Sequence, residues 1–128
     1  MAFSEKARQY SPIVVRYAVG IVFLLLGIDQ IIDPAGWTGY LPPDIVSALP
    51  FHLTAAQFMF YNGLFDTLIG LLLLAGIFVR IVSAVAVLHL LGVIVTLGYN
   101  DLAIRDIGLL LASFSVFLHG PDRWCLKK

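Results

Sequence analysis

Charge is the scarcest commodity in this chain. Only 12% of its 128 residues are Asp, Glu, Lys or Arg, about half the share expected of a soluble domain. Polar side chains are too few to cover a water-soluble globule, so a membrane protein is the default. The 8 acidic and 8 basic residues cancel, which leaves no basic patch of the kind that binds nucleic acid. Cysteine occurs once, at Cys125, so an internal disulfide is excluded and the residue reads as a free thiol in the tail. Metal-type Cys/His spacing is missing, as are a glycine-rich phosphate loop and a nucleophile elbow.

What the chain has instead is long apolar runs, 60% of it being hydrophobic. Roughly 20 apolar residues cross a bilayer. Four spans are expected, at about 13–32, 56–79, 81–99 and 102–120, with a loop over 33–55, in one domain covering 1–128. The fold class is an all-α membrane protein, a four-transmembrane-helix bundle running up-down-up-down. The first span follows a basic segment with Lys6, Arg8 and Arg16, but Gly27-Ile28-Asp29-Gln30 offers no small-x-small cleavage site, so it reads as an uncleaved helix rather than a signal peptide. In the fourth span the clean run Ile107–Leu118 is too short to cross. Starting near Leu102 solves this but draws Arg105 and Asp106 one turn into the membrane.

Lys6, Arg8, Arg16, Arg80, Arg123, Lys127 and Lys128 fall at one end of this bundle, and Arg105 alone at the other. The positive-inside bias then predicts a multi-pass plasma-membrane protein with both termini cytoplasmic. The 33–55 loop carries Trp37, Tyr40 and Phe51 and is expected to lie across the bundle mouth, with Trp124 at the opposite interface. The short connections predict antiparallel neighbours among the last three spans. Gly20 and Gly27, Gly63 and Gly70, and Gly108 with Ala112 read as close-approach stripes.

Against this background Asp29, Asp66, His89, Arg105 and Asp106 stand out, since a charge at mid-membrane costs roughly 2.5–3.5 kcal/mol on insertion scales. At 1.5 Å per residue, Asp29, Arg105 and Asp106 lie about one turn from the outer face, Asp66 deeper, and His89 near the midplane. Asn62 and Asp66 are four apart and share a face with Gly63 and Gly70, a face that must point inward. One arginine cannot neutralise three aspartates. Arg105 is expected to be held by Asp29 and Asp106, while Asp66 either resists ionisation or shares a proton with His89. Two uses remain open: a ligand or proton site, or a lock that ties four helices together by charged hydrogen bonds worth about 1–2 kcal/mol each. A third is a polar face for a partner. Bis-imidazole haem ligation by His89 and His119 is disfavoured, because the two lie about 12 Å apart along the bundle. His52 reads as an ordinary interfacial residue.

The chain resembles the DoxX family of small four-helix membrane proteins. The resemblance rests on Arg16-Tyr17-x-x-Gly20 with Gly27 and the terminating Asp33-Pro34. It continues through Asp66-x-x-x-Gly70-Leu71-Leu72-Leu73-Leu74-Ala75-Gly76 with Arg80, then Arg105-Asp106-Ile107-Gly108, and finally Gly120-Pro121-x-Arg123-Trp124. In that family glutamate is common at the Asp66 position and lysine near Asp29-Gln30. The resemblance implies a redox or respiratory protein of the plasma membrane. Some relatives are small subunits of thiosulfate:quinone oxidoreductase or associate with quinol oxidases. The leading expectation is a membrane subunit of a quinone-linked system, accessory rather than self-sufficient, needing no cofactor of its own but able to bind quinone or a small anion. A redox enzyme or another membrane protein would be its partner, and a homo-oligomer is compatible with its size. The alternative is a non-enzymatic scaffold or assembly factor whose charged cluster only locks the bundle. A transporter of small anions is a third reading.

Overall fold

The computed structural model of the chain describes residues 2–127. Four long helices carry it: α1 (Ala2–Ile32), α3 (Ala55–Ala75), α4 (Val79–Leu97) and α5 (Asp101–His119), with a short α2 (Pro43–Ser47) in the connection after α1. All four long helices are long and apolar enough to cross a membrane. Their outward faces carry an apolar belt, including Leu25, Leu68, Ile81, Leu88, Leu111 and Leu118, suited to the hydrocarbon of a bilayer. The protein is therefore an integral, multi-pass membrane protein in contact with the bilayer.

The spans match the expected ones within a few residues, with one exception. α1 begins at Ala2 rather than near residue 13, because Glu5, Lys6, Ala7, Arg8 and Gln9 are good helix formers and the helix runs through Pro12. This first stretch is exposed. The ends of the other helices have local causes. Thr54 and Gln57 form a reciprocal capping box that starts α3. Gly76, with φ 73°, ends it in the left-handed region, and the N–H groups of Gly76 and Ile77 both return to the Leu72 carbonyl, at 2.9 and 3.0 Å. The Asn100 side chain accepts from the Ala103 N–H and fixes the start of α5, which sets Arg105 and Asp106 one turn inside.

The helices pack as two close pairs, α1 with α3 and α4 with α5. In the first pair the glycine stripes serve the close approach expected of them. A Cβ on Gly63 would lie 2.8 Å from the Gly27 carbonyl oxygen, and one on Gly70 2.7 Å from that of Gly20. Gly108 departs from expectation: nothing lies within 4 Å of where its Cβ would be, so it makes no groove. The antiparallel-neighbour rule also holds only in part. α3 and α4 are joined by a tight turn, yet they touch sparsely. The space between them matters below.

One end of the bundle holds the chain termini and the α3–α4 turn; the other holds the 33–55 connection. At the terminal end, Arg16 is fully buried. Its Nε and Nη2 donate to Asp122 at 2.7 and 3.1 Å, and its Nη1 donates to the Leu73 and Leu74 carbonyls at 2.6 and 3.1 Å. The guanidinium thus satisfies two carbonyls at the C-terminus of α3, where the helix dipole also favours a cation. Arg16, one of the basic residues expected to flank the spans and set orientation, is instead an internal brace. Lys128, from the same set, lies outside the described residues. The C-terminal segment continues the closure by pairing with the α3–α4 turn: the Phe78 N–H donates to the Lys127 carbonyl and the Lys127 N–H to that of Gly76, both at 3.1 Å. Trp124 packs against Tyr10 and Tyr17 at this end.

Candidate functional site

The other half of the bundle contains a cavity of about 280 Å³. α1 and α5 form its back wall through Phe23, Leu26, Leu102 and Leu109, and Leu41 and Trp37 of the connection lie over its outer end. Leu41 is buried, so the connection is a fitted cap rather than a loose loop. Its shape comes from the 3₁₀ turn Pro34–Tyr40, started by Pro34 and by the Asp33 carboxylate accepting from the Gly36 N–H at 3.2 Å.

Polar groups enter the cavity at two levels. Asp66 on α3 is 5% exposed. Its Oδ2 accepts from Gln30 Nε2 at 3.0 Å and from Asn62 Nδ2 at 3.3 Å. Asn62 Nδ2 also donates to Gln30 Oε1 at 2.7 Å, closing a three-residue ring of side chains between α1 and α3. The other oxygen, Oδ1, faces His89 of α4, whose Nε2 lies 3.1 Å away. The contact is short but out of line for an N–H donor, so Oδ1 is buried without a directed hydrogen bond among the described residues. Phe65 packs on the His89 ring, with centroids 4.8 Å apart, and covers it from the lower side.

Nearer the cap, Arg105 directs Nε and Nη2 at a single oxygen of the buried Asp106, Oδ1, at 3.0 and 2.9 Å. Its guanidinium carbon is 5.9 Å from the centre of the Trp37 ring. Nη1 has no partner among the described residues, and the side chain remains 36% exposed. The cavity therefore presents a cationic donor at one level and a carboxylate–imidazole pair at the next, between apolar walls.

Of the residues singled out in the sequence, Asp66, His89, Arg105, Asp106 and Asn62 all line this cavity. Asp29 does not. It is exposed and accepts from Trp37 Nε1 at 2.8 Å, so Arg105 pairs with Asp106 alone and Asp29 reaches it only through the indole. The expected surplus of acid shrinks accordingly. Inside the cavity two carboxylates face one guanidinium and one imidazole. Gly63 and Gly70 support the site indirectly, by letting α1 approach α3 closely enough for Gln30 to reach Asp66. His119 lies at the far end of the bundle, away from His89, and no metal-type cluster of His, Cys, Asp and Glu occurs among the described residues.

Sequence reasoning missed two features. One is Gln30, buried at 3% exposure. The other is Arg16–Asp122, although Asp122 occupies the unspecified position of Gly120-Pro121-x-Arg123-Trp124. The pattern of α1 held both signals. Arg16, Gly20, Phe23, Gly27 and Gln30 follow one another at spacings of four and three, a single helical face continued in both directions from the glycines.

The sequence model of the DoxX family matches residues 11–98. The chain belongs to the DoxX family. The match takes in the brace residue Arg16 and the cavity residues of α1, α3 and α4, and it stops short of Arg105 and Asp106. No curated protein and no solved structure matches the chain.

Proposed function

We propose that this DoxX protein is a plasma-membrane subunit of a quinone-linked redox system, with both termini cytoplasmic, and that the α3–α4–α5 cavity binds the quinone head. The observation that carries this reading is Asp66 Oδ1. A buried carboxylate oxygen with no directed donor is costly in a purely structural network. It is what a site needs if a hydroxyl or a proton is to arrive there. A quinol hydroxyl reaching Asp66–His89 finds an acceptor, and the pair takes its proton. The carbonyl at the opposite edge of a quinone ring finds the free N–H of Arg105, with Asp106 holding the guanidinium in place. Oxidation of a quinol releases two protons and two electrons. In this reading one proton goes to Asp66–His89, the second is released to water at the exposed Arg105 edge, and both electrons pass to a partner redox enzyme.

The competing assignment is a scaffold whose cluster only ties helices together. A fully satisfied tie already exists at the other end, in Arg16–Asp122, which weakens the need for a second. The test is a fluorescence titration of the purified protein in nanodiscs with a short-chain quinone, reading the quenching of Trp37 against a Trp124→Phe background. Saturable quenching that disappears in Asp66→Asn and weakens about 10–100-fold in Arg105→Gln, the scale of a charged hydrogen bond, supports the site. Linear, non-saturating quenching in the folded wild type rejects it.

A further inference from the structure

The cavity is walled by the cap, by His89 and by the packed helices α1 and α5. Leu41 and Trp37 lie over one end, His89, with Phe65 packed on its ring, lies at the other, and α1 and α5 form the back. The remaining side is the gap between α3 and α4, where the helices touch sparsely. Three cavity-lining residues of α4, Leu88, Gly92 and Thr96, follow at intervals of four, and all three are also exposed. A row of residues that faces both the cavity and the outside is the lip of an opening. Because this lip lies along the lipid-facing side of a spanning helix, the opening leads into the bilayer.

Gly92 stands in the middle of that lip. A glycine inside a helix costs about 1 kcal/mol relative to alanine. Close helix packing explains that cost for Gly20, Gly27, Gly63 and Gly70, but nothing lies within 4 Å of a Cβ built on Gly92. Gly108 is similarly free of neighbours but does not line the cavity. The missing side chain at Gly92 therefore leaves a gap in the lip. The cavity's volume bears on the same point. At about 280 Å³ it is at the lower edge of small-molecule pockets, which run from about 300 to 1,000 Å³. It holds a ring but not a long tail.

We infer that Gly92 forms a lateral portal between α3 and α4, and that the ligand is a lipid-soluble molecule whose polar ring enters from the bilayer while its apolar tail stays in the portal. The inference rests on the quinone-head reading above but makes a separate claim about the tail and the route. The experiment compares a quinone bearing a ten-carbon tail with the same ring lacking it, in nanodiscs, on wild type, Gly92→Ala and Gly92→Phe. Gly92→Phe should weaken binding of the tailed quinone at least tenfold and that of the bare ring less than threefold, with Gly92→Ala close to wild type. Equal losses for both ligands, or none for either, overturn the portal while leaving the head site intact. Failure of the bare ring to bind wild type overturns the head site itself, and the portal with it. Should Gly92→Phe not fold, a photoreactive group on the tail serves instead: labelling of Leu88 or Thr96 supports the portal, and labelling of Leu41 or Trp37 overturns it.

Discussion

The two ends of this bundle each use an arginine and an aspartate inside a membrane protein, to opposite effect. At the terminal end, Arg16 spends Nε, Nη1 and Nη2 on Asp122 and on two carbonyls, and is fully buried. At the capped end, Arg105 puts two nitrogens on one oxygen, keeps a third free and remains partly exposed beside a cavity. A saturated pair stabilises a fold and offers nothing to a ligand. A pair with spare donors, next to an imidazole and a carboxylate oxygen without a directed donor, is a weak brace but a usable site. Burial of charge is therefore no guide to role here; the count of unused hydrogen-bonding positions is.

Breaking the saturated pair should have the largest effect. Arg16→Met leaves the buried Asp122 carboxylate without its cation, and removing one partner of a buried ion pair typically costs about 3–5 kcal/mol. Loss of folded protein in detergent, or a sharply lowered melting temperature, is expected. Arg16→Lys should fall between, because a single ammonium cannot reproduce the fork to Asp122 and reach the α3 carbonyls as well. Asp66→Asn should do the reverse. Its amide oxygen can still accept from Gln30 and Asn62 while its NH₂ turns toward His89, so the melting temperature should hold while quinone quenching is lost.

The seam and the portal give a second contrast, between glycines that are packed and one that is not. Gly70→Leu drives a side chain into the Gly20 carbonyl and the α1 backbone and should cost about 1–3 kcal/mol or more. A Cβ on Gly92 meets no neighbour, so Gly92→Ala should leave the melting temperature unchanged or higher.

Acid should weaken the saturated end through Asp122. Burial alone would raise the Asp122 carboxyl, but the hydrogen bonds from Arg16 and from the Trp124 N–H outweigh it and hold the group below its ordinary value. The stability it contributes is then fully present above the ordinary aspartate range, about 3.9, and is lost as pH falls through the lower folded value. Thermal melts should lose stability on acidification below about pH 4, and Asp122→Asn, less stable at neutral pH, should lose less over the same interval. The smallest effect is expected at Asp29. It is exposed and bonded only to Trp37, so Asp29→Asn should shift stability by less than about 0.5 kcal/mol.

Much of this fold follows from run lengths in the sequence. A membrane helix announces itself by twenty apolar residues, and the 1.5 Å rise converts position into depth. That arithmetic brought Asp66 and His89 to compatible levels and placed Arg105 and Asp106 one turn inside. Depth carries no information about which way a side chain points. Asp29 and Gln30 sit at nearly one level but about 100° apart around α1, and the neutral one faces the cavity. The same blindness turned Arg16 into a flanking charge, since a basic residue near a span end serves the positive-inside bias whether it faces water or a carboxylate. Only the glycine stripe fixes rotation, and continuing it to Arg16 and Gln30 recovers both. The cap and the portal were not legible in this way. They depend on how far α3 and α4 stand apart, which no helical periodicity encodes.

Thermal unfolding in nanodiscs with and without a short-chain quinone, on wild type, Asp66→Asn and Arg16→Met together, tests the division of labour most directly. A ligand that binds only the folded state raises its melting temperature. The account predicts a quinone-dependent rise for wild type, an unchanged baseline with no rise for Asp66→Asn, and a sharply lowered baseline for Arg16→Met. A baseline for Asp66→Asn that falls as far as that of Arg16→Met, or a wild type indifferent to quinone, would contradict it.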